Sequence, residues 1–146
     1  MKKIFLITCG VFAIAFANAQ AVLDTAKTNA AEKHRLILLN FSGSDWCIPC
    51  IKMRKEIFEN AAFKSLSDSL LVMINADFPR SKKNLPDVKT RKQNEALADK
   101  YNPNGAFPYT VLLDADGKAI KAWNGLPKGD AASFSSEVRA ICANYK

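Results

Sequence analysis

The chain has 146 residues, 49% of them hydrophobic and 24% charged, with a formal net charge of +7. That length suits one domain with a single core, and four cysteines are too few for a disulfide-stapled mini-protein. Much of the positive excess lies in Arg80, Lys82, Lys83, Lys89, Arg91 and Lys92, where the large apolar residues are Phe78, Leu85 and Val88; without interleaved aromatics or a recognisable module this reads as a solvated face, and no nucleic-acid partner is expected.

Residues 1–19 read as a signal peptide. Lys2 and Lys3 precede an apolar run from Ile4 to Ala17, and Ala17-Asn18-Ala19 places small residues where a signal peptidase reads. Cleavage near Ala19 leaves a domain of residues 20–146, exported to a periplasmic or extracellular setting. The apolar run is shorter than the roughly 20 residues of a membrane-spanning helix, which makes a retained anchor the weaker alternative. Leu6-Ile7-Thr8-Cys9 is faintly like a lipoprotein signal, but the apolar run continues past Cys9 and Thr8 is a poor match before the cut. Removing 1–19 takes two lysines and no acids from 21 basic and 14 acidic residues, leaving +5. Three cysteines remain, Cys47, Cys50 and Cys142, so at most one internal disulfide forms.

Val22 to His34 has the composition of a short helix, with Asp24 or Thr25 available to cap it. Leu36 to Phe41 is continuously apolar apart from Asn40 and predicts a buried strand, broken by Ser42-Gly43-Ser44-Asp45. Cys50, Met53, Ile57, Phe58 and Ala61 then share one face of an amphipathic helix whose first turn holds Cys47 and Cys50. Pro49 suits that turn, whose amides have no carbonyl partner within the helix. Leu70 to Ala76 predicts a second strand, Pro79 to Pro86 a loop, and Val88 to Tyr101 a helix with Leu97 and Tyr101 inward. Tyr109 to Leu113 and Lys118 to Trp123, joined by Asp114-Ala115-Asp116-Gly117, predict antiparallel neighbours. A last helix presents Phe134, Val138, Ile141, Cys142 and Tyr145 on one face. This order implies an α/β fold, a mixed sheet of about four strands flanked by helices on both faces, with an extra N-terminal helix.

The chemistry is concentrated in Cys47-Ile48-Pro49-Cys50, directly after Trp46. Two thiols at this spacing close and reopen a small disulfide, exchanging two electrons with another protein's cysteines. Cys47 at the helix N-terminus faces unpaired amides and the positive end of the helix dipole, which favour a thiolate. Cys50, one turn further in beside Met53 and Ile57, is expected to be more buried. Cys47 therefore attacks and Cys50 resolves.

Trp46-Cys47-Ile48-Pro49-Cys50 after a strand, with Phe107-Pro108 leading into a later strand, resembles the thioredoxin fold. The string from Asn40 to Cys47, Asn75-Ala76-Asp77-Phe78-Pro79-Arg80 and Asp114-Ala115-Asp116-Gly117-Lys118 are similar to exported bacterial thioredoxin-like proteins, over nearly all of Val22 to Tyr145. The resemblance implies a cis peptide at Pro108 against the cysteine pair, substrate backbone pairing at Phe107, and Trp46 as the aromatic beside the site. It also implies a reducing role with electrons from a membrane donor. One position departs from the family: thioredoxins proper usually place a buried acid below the cysteines, and here Asn40 stands nearest, which cannot change protonation. Asp45 is closer in sequence and could act through water, although an exposed loop carboxylate is the simpler reading.

Other readings fit less well. Structural zinc needs about four protein ligands, and Cys142 and His34 lack ligand spacing; a haem attachment site needs histidine after Cys50, where Ile51 stands. A purely structural Cys47–Cys50 disulfide closes too short a loop to stabilise much. Cys142 lies on the apolar stripe of the last helix, where cysteine packs as a small hydrophobe, and with no histidine near the pair a cysteine hydrolase has no base. The expectation is a monomeric thiol-disulfide oxidoreductase acting on protein disulfides or dithiols, with no cofactor beyond its own cysteine pair and no metal. The alternatives are an oxidase or isomerase of the same fold, or a non-catalytic binding module or chaperone using Phe107, Pro108 and Tyr109.

Overall fold

The computed structural model describes residues 12–145, with side chains from residue 21 onward. Cys9 and the first part of the expected signal peptide lie outside the described residues. The chain forms helix α1 (Phe12–Lys33), strand β1 (Leu36–Ser42), helix α2 (Ile48–Met53), a π-helical turn (Arg54–Phe58), helix α3 (Ala61–Leu70) and strand β2 (Leu71–Asp77). A 3-10 turn (Lys82–Asn84), helix α4 (Val88–Tyr101), strands β3 (Tyr109–Leu113) and β4 (Ala119–Asn124), and helix α5 (Ala131–Asn144) complete it. Among the described residues no helix is long and apolar enough to cross a membrane.

The four strands lie in the order β2-β1-β3-β4. β1 runs parallel to β2 and antiparallel to β3, and β3 is antiparallel to β4. Every residue of β1 is buried, as its apolar run requires, because alternate side chains enter two different cores. Ile37, Leu39 and Phe41 meet Leu23, Ala26 and Ala30 of α1 and Leu97 of α4. Leu36 and Leu38 face the other way, onto Met53, Ile57, Phe63, Leu66, Phe134 and Val138. The mixed, two-sided architecture expected from the element order is therefore present, and α4 has the expected limits.

Three elements depart from expectation. α1 starts at Phe12 rather than near Val22, so Asp24 and Thr25 lie inside the helix; the Thr25 hydroxyl donates to the Ala21 carbonyl at 2.8 Å instead of capping. The single helix expected from Cys50 to Ala61 is broken. The Glu59 N–H reaches back to the Arg54 carbonyl at 2.9 Å, closing a π turn, and the Asn60 side chain then accepts from the Ala62 N–H at 2.9 Å to start α3. Ala61 is exposed at that new start, and Phe63 and Leu66 carry the burial instead. In α5, Phe134 and Val138 are buried, but Ile141 and Cys142 are half-buried and Tyr145 is 43% exposed, because the helix end extends past the sheet.

His34 joins α1 to β1 with a φ of 51°, a conformation in which a Cβ is strained and glycine is not. The Arg35 N–H bonds to the Ala30 carbonyl at 2.8 Å, so this residue closes the helix and aims β1 into the sheet. His34→Gly is expected to raise stability by about 1 kcal/mol in urea unfolding; a destabilised variant would show that the strain is absent.

Candidate functional site

β1 ends at Ser42, and within the four residues that follow the chain must deliver Cys47 to the start of α2. Gly43 makes the close approach possible: its carbonyl accepts from the Cys47 N–H at 2.9 Å, and a Cβ built on it would come within 2.5 Å of the Trp46 Nε1. Cys47 is the N-cap of α2, its Sγ accepting from the Cys50 N–H at 3.3 Å, with Pro49 in the first turn. Cys47 and Cys50 are joined in a disulfide, their Cα atoms 5.2 Å apart.

Cys50 was expected to be more buried than Cys47; in the disulfide form Cys47 is 5% and Cys50 3% exposed. Both residues are buried in this form, and so small a difference does not separate their roles. Position does. Cys47 caps the helix beside Ile48, which is 78% exposed, whereas Cys50 opens the inward row of Met53 and Ile57.

The loops that leave β1 and β2 are bound to each other by seven hydrogen bonds. The Phe78 N–H donates to the Ser42 carbonyl at 2.8 Å, and the Trp46 indole N–H to the Phe78 carbonyl at 2.7 Å. Asp77 accepts from the Ser44 N–H at 2.9 Å and from its hydroxyl at 2.6 Å. In the other direction, Asp45 accepts from the Arg80 N–H, the Ser81 N–H and the Asn84 side-chain amide, each at 2.9 Å. The Arg80 bond first, then that from Asn84, hold the Asp45 carboxyl below its ordinary pKa; desolvation opposes them and the Ser81 bond adds to them. Sequence reasoning placed Asp45 beside the site; it did not anticipate this tether, Asp77, Ser44 or Arg80. The signal that could have found them is the repeated pattern of an acid beside a strand-ending loop in both segments.

Aromatic rings complete the rim. Trp46 and Phe107 meet edge to face at 5.5 Å between centroids, Phe78 and Phe107 at 5.6 Å, and the Arg80 guanidinium lies 3.8 Å above the Trp46 ring centroid. The Phe107–Pro108 bond is cis. The Pro108 carbonyl accepts from the Gly125 N–H at 2.8 Å, whereas Phe107 takes part in none of the backbone hydrogen bonds that tie the loops of the described residues.

Asn40 is 5% exposed on the face of β1 that looks toward α2. Its side-chain amide donates to the Asn75 oxygen at 2.9 Å, and its own oxygen accepts from the Thr110 hydroxyl at 3.1 Å. These three residues are cross-strand neighbours in one row of the sheet, and the row is satisfied without an ionisable group. A cavity of about 750 Å³ lies elsewhere, where α1 turns into β1, its lining including His34, Arg35, Asp114, Cys142 and Tyr145. Cys142 is a free thiol there, its pKa raised by burial.

The thioredoxin-like domain family matches residues 23–139. The chain is 37% identical over 128 residues to the disulfide bond reductase DsbH of Chlamydia pneumoniae, covering 87% of this chain and 75% of that one. It is 32% identical over 94 residues to the thioredoxin-related protein DsbJ of the same organism, covering 64% of this chain but 26% of that protein. A solved DsbH oxidoreductase superposes with a TM-score of 0.73 at 33% identity, covering 81% of this chain and 79% of that one. A disulphide isomerase from Xylella fastidiosa Temecula1 superposes with a TM-score of 0.61 at 16% identity, covering 94% and 99%, which extends the likeness of fold.

The depressed Asp45 pKa gives the loop tether a pH window. The tether is complete above the ordinary Asp value of 3.8 and is lost only as pH falls through the lower folded value. The amide proton shifts of Arg80 and Ser81 are expected to titrate together below pH 3.8 and to stop titrating in Asp45→Asn, whose loop exchanges its amides faster. A shared midpoint at or above that value would contradict the tether.

Proposed function

The chain belongs to the thioredoxin-like family and is a thiol-disulfide oxidoreductase with a Cys47–Cys50 redox disulfide, and on that premise we propose that it reduces protein disulfides outside the cytoplasm. In the dithiol form the Cys47 thiolate attacks one sulfur of a substrate disulfide, forming a mixed disulfide and releasing the other substrate sulfur as a thiolate. Cys50, deprotonated, attacks the Cys47 sulfur, the second substrate thiol leaves, and the Cys47–Cys50 disulfide re-forms. Two electrons pass to the substrate, and a dithiol donor, a membrane protein in this reading, returns the pair to the reduced state.

The observation that carries the assignment of roles is the cap. An N-cap sulfur that accepts from the Cys50 N–H keeps that donor when it becomes a thiolate, and the helix dipole adds to it. Cys50 has no equivalent donor at its own sulfur in this arrangement and lies on the inward row, so it is suited to second attack. Reduction, rather than oxidation or isomerisation, is supported by the relative described as a disulfide bond reductase. Export is supported by the lysine-led apolar start and Ala17-Asn18-Ala19. Trp46, Phe107 and Pro108 form the docking rim, with the unbonded backbone of Phe107 offered to an extended substrate strand.

Asn40 and Asp45 act as positioning residues in this mechanism. Asn40 has no proton to lose, and the Asp45 carboxylate already accepts three hydrogen bonds. Protons therefore pass between Cys50 and solvent at the opened rim. Cys47→Ser is expected to lower insulin disulfide reduction by at least about 1,000-fold, and Cys50→Ser to accumulate a substrate-linked mixed disulfide through Cys47, seen as a mass adduct. Turnover that survives in Cys47→Ser, or an adduct on Cys50 in that variant, would overturn the assignment; peptide binding without turnover in the native dithiol would favour a binding module.

A further inference from the structure

Arg80 is held at both ends. Its backbone N–H is bound by Asp45 at 2.9 Å, and the central carbon of its guanidinium lies 3.8 Å from the ring centroid of Trp46, the residue next to Cys47. Yet the side chain is exposed and enters none of the ion pairs among the described residues. Asp45, which holds its backbone, has its carboxylate occupied by three N–H donors, and Asp77, the nearest acid in sequence, accepts from the Ser44 N–H and hydroxyl. From Arg80 to Lys92 there are six basic residues and one acid, Asp87; that carboxylate is engaged by the Thr90 N–H at 3.0 Å and its hydroxyl at 2.6 Å. The segment on either side of Arg80 also lines a cleft of about 220 Å³, in which Phe78, Pro79, Leu85 and Pro86 supply the apolar wall and Arg91 stands with Asp77 and Glu95; Leu85 and Val88 of the same segment are 42% and 58% exposed.

A guanidinium stacked on an aromatic face keeps the edge of its fork free, and it has already lost the rotamer freedom that usually offsets a surface ion pair. That edge accepts a carboxylate in the two-bond manner, which a lysine cannot reproduce. The surrounding positive segment adds longer-range attraction and raises the encounter rate with an acidic partner.

We propose that Arg80 is a specificity-determining residue that selects partner proteins carrying an Asp or Glu beside the cysteine attacked by Cys47. The inference rests on the disulfide-reductase reading and names the class of substrate that this site takes. The partner lays its acidic residue on the Arg80 edge and its neighbouring apolar residues toward Leu85 and Val88, while its disulfide reaches Cys47 past Trp46.

The test uses three disulfide-linked peptides that differ only in having Glu, Gln or Lys next to the cysteine. Each is reduced by the full-length dithiol protein, and each second-order rate is divided by that with dithiothreitol to remove the peptide's own reactivity. The native protein is expected to prefer the Glu peptide over the Lys peptide by about fivefold at low salt, with the preference shrinking as ionic strength rises. Arg80→Ala abolishes the preference, Arg80→Lys retains part of it, and Arg80→Glu reverses it. A role confined to the Cys47 thiolate would change all three rates by one factor. Equal normalised rates in the native protein, or a preference unchanged in Arg80→Glu, would overturn the inference while leaving the reductase reading intact. Failure of the native dithiol to reduce any of the peptides or insulin would overturn that reading and this inference with it.

Discussion

The hydrogen bonds that cross between the loops leaving β1 and β2 are the constraint on which the site depends. Parallel strands end at the same edge of a sheet, so two loops emerge side by side with unpaired backbone groups that must find partners. Here each loop supplies a carboxylate to the other: Asp77 binds Ser44, and Asp45 binds Arg80 and Ser81. This exchange fixes where Trp46 lies, and Cys47 follows as the next residue. The indole N–H bonded to Phe78, and the contact of both rings with Phe107, then couple the cysteine loop to the segment before Pro108. Three stretches far apart in sequence thereby share one rim.

Much of this was legible in the sequence because it is written locally. The apolar run of β1, the limits of α4, the antiparallel β3–β4 pair and the place of Cys47 and Cys50 on a first helical turn all follow from periodicity and turn residues a few positions apart. The π turn and α3 were not. Ser65, Ser67, Asp68 and Ser69 give α3 a loop-like composition, and its helical state rests on Phe63 and Leu66 packing against residues such as Phe134. The loop tether was hard to read for a different reason: Asp45 and Arg80 are 35 residues apart, and an acid beside each strand-ending loop does not by itself show which backbone it binds.

Asn40 shows how the fold accommodates a neutral residue where an acid would carry a proton. Thr110, Asn40 and Asn75 satisfy one another across three strands, so the buried Asn40 and Thr110 need neither a charge nor a change of protonation. A carboxyl there would titrate with the redox state of the cysteines above it; the amide does not. The pair's preference for dithiol or disulfide is left to the groups that act on sulfur directly, chiefly the cap at Cys47 and the helix dipole.

The central claim is that this pair donates electrons to protein disulfides. Equilibration of the Cys47–Cys50 couple against a glutathione series, with acid trapping and counting of alkylated thiols, tests it most directly. The account predicts a midpoint near the thioredoxin value of about −270 mV; a midpoint near the strongly oxidising value of about −120 mV would contradict it.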